Sequence, residues 1–336
     1  MMLSLSQSGT GHRLSAARLR HRVSTLWQAR KHCGWFAQTA LRRGRPDRIL
    51  HFGVGPGDDL LCTTVIHELK RRGQEKIWMM SKHAELFEHN AEVDQVIPID
   101  YRFREYAWVC GKKWQVLEYA RIDTAKDQSE PPKRHILAEL CGRLGISGDI
   151  SLRPYFHCTA DERKKSAWAA GQVVVQSSGL GGQMLMRNKQ WYPERFQAVV
   201  DRLKNKFAFV QLGAANDPAL EGVTDLRGKT RIRESAAILA NCRMFIGNVG
   251  FLMHLARAVE CPSVTIFGGR EAPWQSGYGC NLNLYSAMPC APCWLWNRCD
   301  YNRACMDSIS AGDVIQAIET LAARSRNPLP VDRFTL

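Results

Sequence analysis

The sequence predicts an α/β protein made of two Rossmann-like halves, and three observations predict it. The 336 residues suit about two domains, each large enough to bury a core. From Arg48 onward, short apolar runs alternate with amphipathic helical patterns, the grammar of a parallel sheet flanked by helices. Glycine-rich loops recur between a strand and the next helix, where open α/β folds bind ligands. A composition of 45% hydrophobic and 23% charged residues, with a mean hydropathy of −0.29, excludes fibres and disordered tails. No uncharged apolar run approaches the ~18–20 residues of a membrane-spanning helix.

In chain order, residues 1–47 read as a basic arm. Residues 1–48 hold ten Lys/Arg against the single acid Asp47, so most of the net charge of +14 lies at one end. A field so confined points to an anionic surface, and no nucleic-acid partner is expected. Arg13, Arg18, Arg20 and Arg22 interrupt any secretory signal core, so a cytoplasmic protein is expected. Leu19, Val23, Leu26 and Trp27 share a helical face, with Trp35 and Phe36 beyond. That fits an amphipathic helix on the inner face of an anionic membrane, and equally a disordered or domain-packed extension. Twelve cysteines without a signal peptide indicate a reducing compartment, where clustered thiols bind metal or lie buried.

Residues 48–155 are expected to form the first half. Ile49 to Phe52 read as a strand, and Leu61, Val65 and Leu69 recur every four residues on the following helix. Lys76 to Met80 and Gln95 to Ile99 read as further strands, whereas 101–150 is irregular. The second half, 156–325, opens with a polar helix near 159–170 and a strand at Val173 to Gln176. Pro193 starts a helix whose Phe196, Val199, Val200 and Leu203 share a face, Pro being tolerated where its missing N–H has no intrahelical acceptor. Strands at 207–212, 244–246 and 263–267 alternate with helices near 233–240 and 251–259. Ser310 and Asp313 form a capping box for a last helix, and 326–336 reads as a tail.

Four segments carry chemistry. Gly53-Val54-Gly55-Pro56-Gly57-Asp58-Asp59 joins the first strand to its helix, where unpaired N–H groups and the helix dipole favour anions. It lacks both the dinucleotide and the triphosphate-loop patterns. Asp58 reads either as a helix N-cap or as a base at the carboxyl edge of the sheet, with Gly55, Gly57 and Asp59 beside it on the acceptor side. Lys189, in Arg187-Asn188-Lys189-Gln190-Trp191-Tyr192-Pro193, reads as a diphosphate clamp aided by the hydroxyls of Ser177 and Ser178, or as a solvated loop lysine. Gly247-Asn248-Val249-Gly250-Phe251-Leu252-Met253-His254 is again strand, loop and helix; His254 reads as a crevice residue or a satisfied core histidine. Cys290, Cys293, Cys299 and Cys305 (C-x2-C-x5-C-x5-C) suit one tetrahedral zinc or iron ion, or four buried thiols.

Together these segments resemble the heptosyltransferase superfamily, glycosyltransferase family nine, most clearly over 170–320. Gly57-Asp58 matches the family's Gly-Asp, Lys189 with Trp191 and Pro193 its K-x-W-P-like segment, and Asp225-Leu226-Arg227-Gly228-Lys229-Thr230 a further stretch. Residues 247–256 overlay its G-N-D-S-G-P-M-H-L-A signature, but Val249 replaces the Asp and Gly250-Phe251 the Ser-Gly. The resemblance implies the GT-B fold, two Rossmann-like domains facing across a cleft, and an inverting transferase without a catalytic cofactor. Asp58 would deprotonate an acceptor hydroxyl of a cell-surface glycan, lipid-linked or part of lipopolysaccharide or capsule. A nucleotide-diphosphate sugar would be held by Lys189, Ser177, Ser178, Asn248, His254 and the N–H groups near Gly250, Phe251 and Leu252. The metal at the cysteines would be structural, as iron-bound clusters are known in related autotransporter heptosyltransferases. Two alternatives remain open at this point: a degenerate relative that binds nucleotide or glycan without turnover, which Val249 motivates, and an unrelated α/β metal-thiolate protein.

Overall fold

The computed structural model describes residues 31–53, 55–181, 185–324 and 329–336. The arm residues Leu19, Val23, Leu26 and Trp27, and also Val54, lie outside these.

The first half is a parallel sheet in the order β3-β2-β1-β4, built from β1 (Arg48–His51), β2 (Ile77–Met80), β3 (Gln95–Ile97) and β4 (Lys113–Val116). Strands β1 and β2 are buried along their whole length, which is why an unbroken run such as Ile-Trp-Met-Met is stable there. Helix α2 (Pro56–Arg72) covers one face through Leu60, Leu61, Val65 and Ile66. Helices α1 (Cys33–Arg43) and α3 (Arg102–Val109) cover the other, with Phe36, Phe103 and Tyr106 against Ile49, Trp78 and Met80. Of the alternatives for the arm, domain packing therefore holds for its last turns: the Trp35 ring lies 4.9 Å from that of Phe103.

The stretch 101–150, expected to be irregular, instead holds α3 and the sheet strand β4, and it goes on as a hairpin of β5 (Ile122–Asp123) and β6 (Gln128–Ser129), then α4 (Ile136–Arg143) and β7 (Asp149–Ser151). An extended link leads to α5 (Ala160–Lys165), started by a capping box between Thr159 and Glu162.

The second half is a six-stranded parallel sheet in the order β10-β9-β8-β11-β12-β13. Its strands are β8 (Val173–Val175), β9 (Phe209–Gln211), β10 (Thr224–Asp225), β11 (Met244–Asn248), β12 (Ser263–Gly268) and β13 (Leu282–Tyr285). Between and after them come α6 (Pro193–Leu203), α7 (Ile232–Asn241), α8 (Phe251–Ala258), α9 (Pro273–Ser276), α10 (Ala304–Asp307) and α11 (Ala311–Ala323). The capping box of α11 forms as the sequence predicts: Ser310 N donates to Asp313 Oδ2 at 2.7 Å, and Asp313 N to Ser310 Oγ at 3.2 Å. The expected tail is ordered at its end, where β14 (Arg333–Thr335) pairs antiparallel with β7 and returns the chain to the first half.

The halves meet at the carboxyl ends of β1 and β11. A Cβ built on Gly57, in the first turn of α2, falls 3.7 Å from Phe251 Cα at the start of α8. Arg233 on α7 adds a second tie, chelating Glu162 at 2.6 and 2.8 Å while donating to Glu85 O of the first half at 3.0 Å. No helix among the described residues is long and apolar enough to cross a membrane.

Candidate active site

Asp58 is not the cap of α2. That position belongs to Gly55, and Asp58 lies in the first turn, its carboxylate accepting from the Gly55 N–H. Gly53 makes the room: a Cβ there would meet Asp58 Cβ at 2.6 Å and Oδ2 at 2.8 Å. Burial and then the neighbouring Asp59 push the Asp58 carboxyl up to about 6, opposed by Lys189, the Gly55 N–H and the Tyr119 hydroxyl. A carboxylate poised near neutrality can hold and release a proton. Asp59 is spent elsewhere, because its Oδ2 accepts from Ser81 Oγ at 2.5 Å and His83 Nδ1 at 2.8 Å. That ties α2 to the end of β2.

From the second half, Lys189 sits in a 3-10 turn (Arg187–Lys189) held in place by Trp191. The buried indole donates to Ile309 O at 2.9 Å, and Trp191 N to Asn248 Oδ1 at 3.2 Å. Lys189 Nζ pairs with Glu271 Oε1 at 2.6 Å. Its charge acts on Asp58 from across the two halves. Burial, then Arg270, draw Lys189 below the usual lysine value, with Glu271 and Asp58 opposing. The solvated-lysine reading therefore fails; its side chain is 19% exposed. Glu271 is buried, yet Lys189 and Arg270 hold it at about 2.

The other expected donor contacts divide. Gly250 caps α8, so the N–H groups of Phe251 and Leu252 head that helix where its start meets Gly57. Ser177 is turned inward, donating to Pro218 O at 2.6 Å and accepting from Gln211 at 2.8 Å, and so braces the strand ends. Ser178 likewise bonds Gln190 and the Leu180 N–H, and Asn248 secures the Lys189 turn through Trp191. His254 is a satisfied core histidine: Nδ1 lies 2.6 Å from the Tyr278 hydroxyl, and burial followed by the Lys189 charge pushes its value down to about 3. Tyr119, Arg270 and Glu271 are the site residues that spacing did not reveal.

The four cysteines line one cavity of about 40 Å³ together with Arg270 and Arg303. Among the described residues no three of the His, Cys, Asp and Glu side chains are close enough to hold an ion. The donor set fits zinc or iron in kind, all four being thiols, and the thiols would have to draw inward to coordinate. Hairpin β5–β6 of the first half is seated on this loop: Trp296 Nε1 donates to Ser129 Oγ at 2.9 Å, and Ser129 N to Trp294 O at 3.0 Å.

Two parallel-sheet halves, with a carboxylate at a helix start of one facing a lysine and a helix start of the other, define a GT-B protein. The family it resembles is the one its motifs indicated. Residues 151–294 match the model of glycosyltransferase family 9 (heptosyltransferase). Lipopolysaccharide heptosyltransferase 3 of Escherichia coli K12 is 29% identical over 151 residues, 40% of this chain and 42% of that protein. The chain thus spans less than half the length of that relative. Among solved structures, E. coli ADP-heptose lipopolysaccharide heptosyltransferase II aligns with a TM-score of 0.61 at 14% identity, covering 82% of this chain and 98% of the other. The iron-containing dodecameric glycosyltransferase TibC of enterotoxigenic E. coli aligns at 0.62 and 17% identity, covering 82% and 76%. At such identities these two structures speak for the fold alone.

Proposed function

We propose that this chain is an inverting glycosyltransferase that moves a sugar, heptose or hexose, from a nucleotide-diphosphate donor to a cell-surface glycan acceptor such as lipopolysaccharide. The observation that carries the reading is that Asp58, in the first turn of a helix of one half, feels the charge of Lys189 from the other half, beside the place where Gly57 meets the helix start at Phe251. Residues 48–155 serve the acceptor and 156–325 the donor. Asp58 takes the proton of the acceptor hydroxyl as the hydroxyl oxygen attacks the anomeric carbon. The diphosphate leaves toward Lys189 and the N–H groups of Phe251 and Leu252, which offset its growing charge. Tyr119 keeps the Asp58 carboxylate aimed while it is a base.

The cysteines are read as a structural site. A metal there would supply fixed loop geometry and no step of transfer, since four thiolates close its coordination shell. The basic arm would hold the protein at the inner membrane face, near a lipid-linked acceptor. One observation favours a second reading, binding without turnover. Val249 is buried and apolar where the resembled family has Asp, and the Phe251 side chain abuts Gly57. Release of free nucleotide diphosphate from ADP-heptose and a panel of other nucleotide sugars, with a deacylated lipopolysaccharide core as acceptor, decides between the two. Nucleotide binding without release in any pairing would sink the transferase reading.

A further inference from the structure

Glu271 is not part of any motif, yet it is the direct partner of the donor lysine. It lies just after β12. Strands β11 and β12 pair in parallel with Asn248 opposite Ile266, so this loop runs beside the one that carries Val249. Val249 is buried and uncharged, and offers Lys189 nothing. Glu271 meets Lys189 Nζ through Oε1 at 2.6 Å and is fixed from two further directions. Ser276 Oγ on α9 donates to Oε2 at 2.6 Å, and the Arg270 guanidinium bonds Oε1. Arg270 is in turn immobilised by its Nε bond to Leu295 O at 3.0 Å and by the face of Trp294, 4.9 Å away. A carboxylate held this rigidly, 4% exposed, sets where the lysine ammonium can sit.

We infer that Glu271 is the positioning residue for Lys189, holding its ammonium charged and aimed at the diphosphate of the donor. This rests on the reading of Lys189 as the diphosphate contact. The alternative for such a pair is a simple loop brace, and the electrostatics separate the two. The charged groups facing Lys189 are Glu271, Arg270 and Asp58, with the neutral imidazole of His254 beside them. Burial and Arg270 disfavour the ammonium; among the described residues Glu271, and more weakly Asp58, favour it. Without Glu271, two cations and a neutral amide would share a buried site, and the lysine is the one able to shed its proton. A lysine with a lowered value is charged at low pH and neutral at high pH. Diphosphate binding then fades as pH rises, whereas loss of a brace weakens it equally at every pH.

The test is calorimetric binding of inorganic pyrophosphate and of ADP to the full chain between about pH 6.5 and 8.5, each variant set against wild type. Glu271→Gln is expected to bind nearly as well as wild type at the acid end and to lose affinity by up to about tenfold per pH unit above it. Adding Lys189→Arg to Glu271→Gln should remove the slope, because guanidinium stays charged. Glu271→Asp, one methylene shorter and safer for folding, should give the same slope in weaker form. A pH-independent loss in both Glu271 variants, or no loss, overturns the proposal while leaving the donor site standing. Unchanged pyrophosphate and ADP binding by Lys189→Ala overturns it together with the donor reading.

Discussion

Asp127, in left-handed conformation (φ 51°) at the turn of hairpin β5–β6, accepts the backbone N–H groups of Asn297 and Arg298 on one carboxylate oxygen, both at 2.8 Å. Its other oxygen accepts from Asn297 Nδ2 at 3.0 Å. One side chain of the first half thus organises the cysteine-bearing loop of the second. Asp127→Ala should cost about 1.5–3 kcal/mol, the span for hydrogen bonds to a charged group, or less because the site is partly exposed. Chemical denaturation measures the loss, and limited proteolysis should cut first within 288–303. Cleavage elsewhere, with stability unchanged, would mean that the loop holds its shape alone.

Asp58→Asn should abolish transfer, by ~10²–10⁴ in rate for a lost general base, while nucleotide binding stays. Its carboxyl value is raised by folding, so the charged form is disfavoured in the native state and the amide should leave the melting temperature unchanged or higher. The wild-type kcat/KM should climb as pH rises through about 6, where Asp58 loses its proton. It should fall again at alkaline pH as Lys189, lowered from the usual lysine value, becomes neutral. A variant with wild-type turnover would return Asp58 to a helix-end role.

The inner strands and the main helices are legible because burial on two faces demands continuous apolar strands and one-sided helices, as in Ile77 to Met80 and Phe196 to Leu203, whereas the edge strands β4, β10 and β13 are short or half-exposed and carry no such signal. Pro193 and the Ser310–Asp313 box mark starts by local chemistry alone. The position of Asp58 in the first turn of its helix, with Gly55 at the cap, is not legible, since an acid among glycines suits the cap and the first turn equally. Tyr119 and Glu271 are invisible for another reason. Each becomes a site residue only when distant loops fold beside Asp58 and Lys189, and no spacing rule spans such separations. Ser177 errs in the opposite sense: its place at a strand end was readable, but its inward rotamer is set by Pro218 and Gln211.

Tyr119→Phe isolates one hydrogen bond. The phenol helps to keep the Asp58 carboxylate ionised, so its removal should move the acid limb of the kcat/KM profile upward, by up to about one pH unit. The plateau at higher pH should be little changed, because the base is ionised there in either protein. A profile lowered at all pH values with no displacement would show that the ring acts by packing against Trp294, 6.5 Å away, and not through its hydroxyl.

Cys293→Ser addresses the thiol cavity, where structure and chemistry must be separated. If Cys290, Cys293, Cys299 and Cys305 close on one ion, protein purified without chelator should contain about one zinc or iron per chain by elemental analysis. The serine variant should lose that ion, and its stability should fall before any intrinsic rate does, because a four-thiolate shell leaves no position for substrate. The disturbance should spread first to the neighbours the loop supports. Arg270, which lines the cavity and bonds Leu295 O, would loosen Glu271 and then weaken diphosphate binding, with the chemical step following only later. Folded, active protein carrying no metal would leave four free thiols around a small cavity as the whole account, with Asp127 and Trp296 as the devices that hold the loop.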